Sequence, residues 1–248
     1  MRSLLIAPAD EQKLAEALDS GADAILVDLA QVAPAERAAA RAAAAQFLKV
    51  RNRLGGPVLI VRANALDSGE TDADLDAVMP GAPTAIMLPG SLVAASVRQL
   101  SAKLAVREAE FDLPDGETRI IAVADTAQSL FHLGSYRGAS ARLMGVAWSA
   151  EALRADIGAE MDRDRPGGLL GPYRLARELT LLAATSARVA AIDTAFLNIR
   201  DLEGLRAEAL AARRDGFTGK IALDPGQVGV INDVFPSRSL PVEKESPS

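Results

Sequence analysis

Residues 119–160 read RIIAVADTAQSLFHLGSYRGASARLMGVAWSAEALRADIGAE and contain two short apolar runs, 120–124 and 143–148. Each run ends in a polar turn that opens a helical pattern, which is typical of a parallel strand buried on both faces. In folds built from such strands, the loops after the carboxyl ends of the strands carry the chemistry. Asp125 lies at the first of these ends and Glu151 just beyond the second. The segment therefore predicts two carboxylates from neighbouring strands, a donor set that suits a hard divalent cation.

Apolar runs of this kind recur eight times along the chain, and helical patterns separate nearly all of them. The alanine-rich residues 34–54 give a strong helix signal, with Pro34 at the first helical position. Repeated alternation of strand and helix indicates a parallel sheet, and eight repeats in about 250 residues match the (β/α)8 TIM barrel. We predict one barrel domain over residues 1–235 and a disordered C-terminal tail over residues 236–248. The predicted strands are residues 4–8, 24–29, 58–63, 85–89, 120–124, 143–148, 190–197 and 220–224.

The composition excludes several classes of protein. The 248 residues include no cysteine, which rules out disulfides and thiolate chemistry. A formal net charge of −6 and an isoelectric point near 5.0 argue against a nucleic-acid-binding surface. Strand-like sequence begins at Ser3, which leaves no room for a signal peptide, and no apolar run is long enough to cross a bilayer. We expect a soluble, cytoplasmic α/β protein that binds neither nucleic acid nor membrane.

Side chains at the carboxyl ends of the strands are the candidates for chemistry in such a barrel. Arg62 closes the run VLIVR, where its guanidinium could clamp the carboxylate of a ligand through two parallel hydrogen bonds. The alternative is a structural ion pair of Arg62 with Asp28 or Asp125. The remaining candidates at strand ends are Asn64, the turn at residues 149–152, Asp193 and Asp224.

Three further side chains allow more than one interpretation. Asp125 could be a metal ligand, a base, or an acceptor that caps the helix beginning near residues 126–128. Glu151 lies in the first turn of a helix, where acidic side chains are common because they complement the helix dipole, so an exposed glutamate is the alternative to a metal ligand. His132, the only histidine, lies in a helical interval away from any strand end. Imidazole base chemistry and histidine-ligated zinc are therefore not expected.

Five segments, taken in order, carry a resemblance to a known family. RSLLIAPADEQKLAEALDSGADAILVDL at 2–29 and VRANALD at 61–67 come first, followed by AIMLPG at 85–90 and GVAWSAEALRADIGAE at 145–160. The last segment is AIDTAFLNIRDLEGLRAEALAARRDGFTGKIALDPGQVGVINDVF at 191–235. Through them, the chain resembles the citrate lyase beta-subunit-like branch of the HpcH/HpaI aldolase superfamily over nearly all of residues 1–235.

The resemblance implies a (β/α)8 barrel that forms a homo-oligomer, a trimer or hexamer. It also implies Mg²⁺-dependent cleavage or formation of a carbon–carbon bond in a 3-hydroxyacyl-CoA such as citryl-CoA or malyl-CoA. In the family, a third-strand arginine holds the substrate carboxylate, and Arg62 matches it. A glutamate after the fifth strand and an aspartate after the sixth bind magnesium; Asp125 matches the first, and Ala152 stands in place of the second. We predict Arg62 and Asp125 as catalytic residues, Arg62, Asn64 and Asp28 as substrate-binding residues, and Asp125 and Glu151 as metal ligands.

The chain departs from the family pattern at other site positions. The second strand is followed by Ala30 and Gln31 in place of a Glu-Asp pair, and Gly90 replaces a lysine after the fourth strand. The eighth strand ends in Asp224 and Pro225, where the family has His-Pro. The segment after residue 235 is also too short for the helix with which many relatives cover a neighbouring subunit's site.

These departures leave the function open between two main hypotheses. Losing a carboxylate at Ala152 removes a ligand and a charge from a magnesium site, and Glu151 or Asp224 is the candidate replacement. The first hypothesis is a carbon–carbon lyase acting on an acyl-CoA or carboxylate substrate, with weakened Mg²⁺ chemistry. The second is a catalytically impaired barrel that serves as a binding or regulatory subunit. The third hypothesis is a metal-independent pocket for a keto acid or a phosphorylated ligand, and no motif in the sequence supports it.

Overall fold

Parallel strands close into a barrel in the computed structural model, which describes residues 1–51, 56–164 and 167–236. Each strand pairs with the next along the chain, and the last pairs with the first through Ser3↔Lys220 and its neighbours. This closed order confirms the predicted (β/α)8 TIM barrel. The described strands are β1 Ser3–Pro8, β2 Ala24–Asp28, β3 Val58–Arg62, β4 Ala85–Leu88, β5 Arg119–Ala124, β6 Leu143–Trp148, β7 Ala190–Asp193 and β8 Gly219–Ala222.

Helices follow the strands and cover the outside of the barrel. Leu14 and Ala17 of α1, for example, are buried because the apolar positions of this helix recur at helical spacing on one face. Within the described ranges the α-helices are α1 Glu11–Leu18, α2 Arg37–Arg51, α3 Thr71–Val78, α4 Ala94–Glu110, α5 Ala127–His132, α6 Ala150–Asp156, α7 Gly171–Ala187, α8 Leu202–Asp215 and α9 Pro225–Val234. None of the helices in these ranges has the length and apolar character that a membrane span requires.

Side chains alternate along each strand between the barrel interior and the layer beneath the helices. A single cluster fills the interior, with Leu26 from β2, Ile60 from β3 and Val123 from β5 among its members. Asp28 and Arg62 lie two residues after Leu26 and Ile60, so they also face inward, at the carboxyl end of the barrel. We call this end the mouth. Alternation from Val123 places Asp125 on the same inward side of the mouth.

The two ends of the barrel sequence meet at the opposite face. The side chain of Arg2, just before β1, donates from Nη1 to the backbone oxygen of Asn232 in α9 at 3.3 Å. Ser3 donates from Oγ to the side-chain oxygen of the same asparagine at 2.8 Å. Arg2 also pairs with Asp23 at 2.7 Å, just before β2. These bonds fasten the first strand to the last helix at the amino ends of the strands.

Most predicted strand boundaries agree with the structure to within two residues, and β7 is the main exception. It ends at Asp193 instead of residue 197, because the chain turns away from β8 at Thr194. The Thr194 carbonyl accepts a hydrogen bond from Lys220 Nζ at 2.6 Å, and its hydroxyl accepts from the Ala150 N–H at 3.2 Å. These side-chain bonds replace the ladder bonds that a longer strand would make.

The predicted helix over residues 34–54 is also revised in detail. Pro34–Glu36 forms one turn of 3-10 helix, and the α-helix begins at Arg37 and is described up to Arg51. Proline starts this unit, as expected, because its missing N–H has no role in the first turn. Residues 52–54 of the prediction, and residues 237–248 of the predicted tail, lie outside the described residues.

Candidate functional site

Arg62, the last residue of β3, carries a guanidinium at the mouth that is only partly used by the protein. Its Nη1 donates to Asp28 Oδ2 at 3.2 Å, and no other hydrogen bond or ion pair of its side chain is found in the described part of the chain. The Arg62 side chain is 17% exposed, which leaves nitrogen atoms accessible to a ligand. The structural pair with Asp28 therefore exists, and it orients Arg62 without exhausting its donors.

Asp28 orients the guanidinium of Arg62. Its second carboxylate oxygen accepts the Ala30 N–H at 2.9 Å, and the residue is 6% exposed at the end of β2. Both oxygens thus have protein partners, which fixes the carboxylate beside Arg62. The predicted substrate contact of Asp28 stays a prediction, and its observed contacts give it a positioning role.

Asp125 lies directly after β5 and is buried, with 6% of the residue exposed. Both of its carboxylate oxygens are 3.0 Å from the Gly90 nitrogen, which donates one shared hydrogen bond to them. Asp125 does not cap α5, the third of the alternatives that the sequence allowed. Thr126 does so instead, because its hydroxyl accepts the Ser129 N–H at 3.1 Å.

The electrostatic surroundings of Asp125 connect it with Arg62. Burial raises the pKa of the Asp125 carboxyl above its ordinary value, because water no longer solvates the charge. The Gly90 N–H and the Arg62 guanidinium oppose this rise, and the Asp156 carboxylate adds to it. No ion pair joins Arg62 to Asp125 in the described ranges. Arg62 ends β3 and Asp125 follows β5, so both lie at the carboxyl end of the barrel, and the charge of Arg62 lowers the pKa of Asp125. That the two side chains share one ligand site stays a prediction.

Gly90 makes this contact from a left-handed backbone conformation. Its φ of +60° lies in the left-handed region, which other residues adopt only with strain. A Cβ at this position would also lie 3.3 Å from the Ala65 Cβ. Gly90, at a position where the resemblance implies a lysine, is the residue whose N–H reaches Asp125.

Asn64 is bound to the protein rather than directed at a ligand. Its Nδ2 donates to Asp74 Oδ2 at 2.8 Å and to the Leu29 carbonyl at 3.2 Å, and its own N–H donates to Asp74 as well. Asp74, buried in α3, also pairs with Arg41 at 2.8 Å. These bonds fasten the segment after β3 to its neighbours. They favour a structural role for Asn64, and its substrate role stays a prediction.

The predicted replacements for the missing metal ligand lie elsewhere. Glu151 is exposed in the first turn of α6, as the alternative interpretation expected. Asp224 caps α9 by accepting the Gly226 N–H at 2.8 Å. Asp156, the acid that influences Asp125, accepts the Ala127 N–H at 2.8 Å and so holds the start of α5. Within the described residues, none of these three carboxylates forms with Asp125 a group of three or more side chains that could hold a metal ion, although the charge of Asp156 raises the pKa of Asp125.

The donor set therefore does not fit a resident magnesium ion. Across residues 1–51, 56–164 and 167–236, no group of three or more acidic or histidine side chains could hold a metal. Of the two positions that the resemblance assigns to metal ligands, only position 125 carries a carboxylate, since position 152 is an alanine. Magnesium prefers near-octahedral oxygen ligands, and one carboxylate already engaged by an N–H supplies few of them.

Two buried groups lie near the mouth, and one of them, Tyr136, has no signature in the sequence. The Tyr136 hydroxyl donates to the Ser91 carbonyl, and its pKa is raised to about 12, mainly by burial and also by the charge of Asp125. Asp193, a strand-end candidate, faces away from the interior and accepts hydrogen bonds from Trp148 Nε1 and Lys220 Nζ, both at 2.9 Å. Asp193 therefore has a structural role. His132 is exposed at the end of α5, away from any strand end, as the sequence predicted.

Comparison with known proteins identifies relatives of this chain. The model of the HpcH/HpaI aldolase/citrate lyase family matches residues 2–225. The chain is 34% identical to the citrate lyase subunit beta of Leuconostoc mesenteroides subsp. cremoris, over 91% of this chain and 72% of that protein. It is 32% identical to a (3S)-malyl-CoA thioesterase of Cereibacter sphaeroides, over 98% of this chain and 79% of that protein.

A solved structure agrees with the sequence comparison. Protein CitE from Mycobacterium tuberculosis, in complex with magnesium, acetoacetate and coenzyme A, matches with a TM-score of 0.78 and 31% identity. The match covers 95% of this chain and 81% of that one. The fold and the family resemblance that the sequence suggested are thereby confirmed, and structures of relatives contain a carboxylate, coenzyme A and magnesium.

Proposed function

Because this chain belongs to the HpcH/HpaI aldolase/citrate lyase family, we propose that it cleaves the carbon–carbon bond of a 3-hydroxyacyl-CoA. The substrate class is that of citryl-CoA and malyl-CoA, in which a carboxylate lies next to the carbon that carries the hydroxyl. The family relationship supports a lyase or another enzyme of CoA thioesters. The choice of reaction rests on the residues at the mouth.

Arg62 is the observation that carries the proposal. Its guanidinium lies at the mouth and is oriented by Asp28 through Nη1. The side chain is partly exposed, so a ligand can reach its remaining nitrogen atoms. A planar guanidinium binds a carboxylate through two parallel hydrogen bonds, which fixes the orientation as well as the position of the substrate. The carboxylate end of the substrate would therefore lie on Arg62, and the hydroxyl-bearing carbon would lie towards Asp125.

Asp125 is the group that would move the proton. Cleavage requires that the 3-hydroxyl lose its proton as the bond between C2 and C3 breaks, which gives a keto acid and the enolate of the acyl-CoA. The carboxylate of Asp125 would accept that proton, and the enolate would then take up a proton at C2. Burial beside Gly90 holds the carboxylate in one orientation. Magnesium binding by Asp125 and Glu151 finds no support in the donor set, so no step here depends on it.

The second candidate is a barrel that binds such a ligand without turning it over. Ala152 at a family ligand position, together with the exposed Glu151, favours a binding or regulatory subunit. The two candidates share the carboxylate contact at Arg62 and differ in the products. The homo-oligomeric state and the cytoplasmic location stay predictions under either one.

Incubation with malyl-CoA, citramalyl-CoA and citryl-CoA, followed by chromatography and mass spectrometry, tests the proposal. Lyase activity yields acetyl-CoA together with glyoxylate, pyruvate or oxaloacetate, respectively. Free CoA with intact malate would identify a thioesterase instead and refute the proposed bond cleavage. Isothermal titration with each thioester, without turnover, would support the second candidate.

Two arginine variants make the test specific to the mouth. Arg62→Ala should abolish turnover and weaken binding, because it removes the carboxylate clamp. Arg137→Ala removes the same charge from an exposed position after α5 and should leave both unchanged. Equal activity of the Arg62→Ala and Arg137→Ala proteins would show that Arg62 is not the substrate-binding residue.

A further inference from the structure

We infer that the mouth of this barrel holds no resident divalent cation, and that the Gly90 N–H takes the cation's place against the Asp125 carboxylate. The inference deepens the proposed function, on which it rests in placing the substrate site at this rim. It also separates this chain from relatives whose structures contain magnesium.

The geometry at Asp125 is the first step. The Gly90 nitrogen is 3.0 Å from each of the two carboxylate oxygens. Equal distances place the N–H on the edge between the oxygens, which is the edge that a chelating cation would use. An N–H donor on that edge satisfies the buried carboxylate without any metal, since hydrogen bonds of this length are normal and charge-assisted.

The neighbouring carboxylates are the second step. Asp28 is taken by Arg62 and the Ala30 N–H, and Asp156 accepts the Ala127 N–H. Releasing either one to a metal would leave a backbone N–H or a guanidinium without its partner, which costs free energy. Asp28, whose two oxygens are both engaged, therefore offers no ready second ligand, and Asp156 is committed through Oδ2 to the start of α5.

Position 152 is the third step. Ala152 lies in the first turn of α6, directly after β6, and its N–H donates to the Ser149 hydroxyl at 3.2 Å. It is partly exposed, so a carboxylate at this position has room and solvent access. Ala124 pairs with Trp148, so Asp125 and the turn that leads into Ala152 follow neighbouring strands at the same level of the barrel. An aspartate at 152 would therefore add a ligand and a charge on the side of Asp125, and affinity for hard cations rises with the number of charged ligands.

Titration with Mn²⁺, followed by electron paramagnetic resonance of the free ion, tests the inference directly. The unmodified protein should bind no Mn²⁺ more tightly than about 1 mM, a value typical of the weakest oxygen-ligand sites. Ala152→Asp should bind Mn²⁺ about tenfold more tightly or better. Adding Asp125→Asn to that variant should remove the gain. Ala155→Asp, which places the same charge at an exposed position of the same helix, should not produce it.

Two results of the binding experiment would overturn the inference. One is micromolar Mn²⁺ binding by the unmodified protein that Asp125→Asn abolishes. The other is an Ala152→Asp protein that retains its circular dichroism spectrum and melting temperature yet gains no binding. Neither result depends on turnover. Acyl-CoA cleavage that persists in EDTA would support the inference, whereas cleavage that needs Mg²⁺ would oppose it and leave the proposed function standing.

Discussion

Lys220→Met removes a fully buried ammonium group and should destabilise the barrel strongly. Lys220 lies in β8 with no exposed surface, and its Nζ makes three contacts. It donates to Asp193 Oδ2 at 2.9 Å, to Glu208 Oε1 at 2.8 Å and to the Thr194 carbonyl at 2.6 Å. Methionine keeps the length and the apolar part of the side chain, so the loss is confined to the charge and its hydrogen bonds.

The size of the effect follows from these distances. A pair of unit charges 2.9 Å apart attracts by about 6 kcal/mol at an effective dielectric constant of about 20. Removing Lys220 also removes the cost of burying it, so the net loss is smaller, about 3–5 kcal/mol for one partner of a buried pair. For a chain of this size, that corresponds to a fall in melting temperature of roughly 6–20 °C. The pKa of Asp193 is raised by burial but lowered further by Lys220 and Arg177, so Asp193 is charged and would lose a partner.

Urea and thermal unfolding, followed by circular dichroism and by tryptophan fluorescence, measure the loss. Trp148 is the only tryptophan, is fully buried, and donates from Nε1 to Asp193, so its emission reports on this cluster. Lys49→Met is the matched control. It makes the same change at an exposed position in the last turn of α2 and should stay within about 0.5 kcal/mol of the unmodified protein.

A double-mutant cycle identifies the interaction responsible. Lys220→Met combined with Asp193→Asn should cost at least about 1 kcal/mol less than the sum of the two single variants, because the two side chains contact each other. A loss below about 1 kcal/mol for Lys220→Met, or full additivity in the cycle, would refute the reasoning that the buried pair stabilises the barrel.

The remaining predictions concern a titrating carboxylate and a strained turn. Burial raises the pKa of Glu108, but hydrogen bonds from Arg142 and from backbone N–H groups lower it further, so it lies below its ordinary value. Its stabilising effect is present above the ordinary pKa of 4.5 and is lost as the pH falls through the lowered value. Glu108→Gln should therefore lower the melting temperature at neutral pH and flatten its decline in acid, as thermal scans across pH will show. Gly90→Ala should cost about 1–2 kcal/mol, since φ is +60°. Gly229→Ala, in an exposed turn of α9 with nothing near its Cβ position, should stabilise by up to about 1 kcal/mol. Differential scanning fluorimetry gives the melting temperatures of the two variants. Equal shifts of the melting temperature would contradict the role of the Gly90 conformation.

The strands of the barrel could be predicted because a strand buried on both faces has a nearly continuous apolar sequence. Residues 143–148 are such a run, and β6 has the same bounds. The end of β7 could not be predicted, because Ala195 and Phe196 continue the apolar pattern after the strand has ended. Hydrogen bonds from Lys220 and the Ala150 N–H to Thr194 determine that turn, and both come from distant parts of the chain.

The candidate site was predictable in position and less so in detail. Parallel strands bring their carboxyl ends to one face, so Arg62 and Asp125 could be placed there from the sequence. The partner of Asp125 could not, because a backbone N–H such as that of Gly90 leaves no residue-specific pattern. The bond between Asn64 and Asp74 depends on how α3 packs after β3, which the sequence pattern does not specify.

The contacts of Arg2 and Ser3 with Asn232 have a practical consequence for protein engineering. Met1 and Pro236 line one cavity at the face away from Arg62, so a short flexible linker could join them. A circular permutant made this way could be opened at a surface turn without touching the mouth. A reporter protein fused before Met1 would likewise lie at the amino ends of the strands, on the face opposite the proposed ligand site at the mouth.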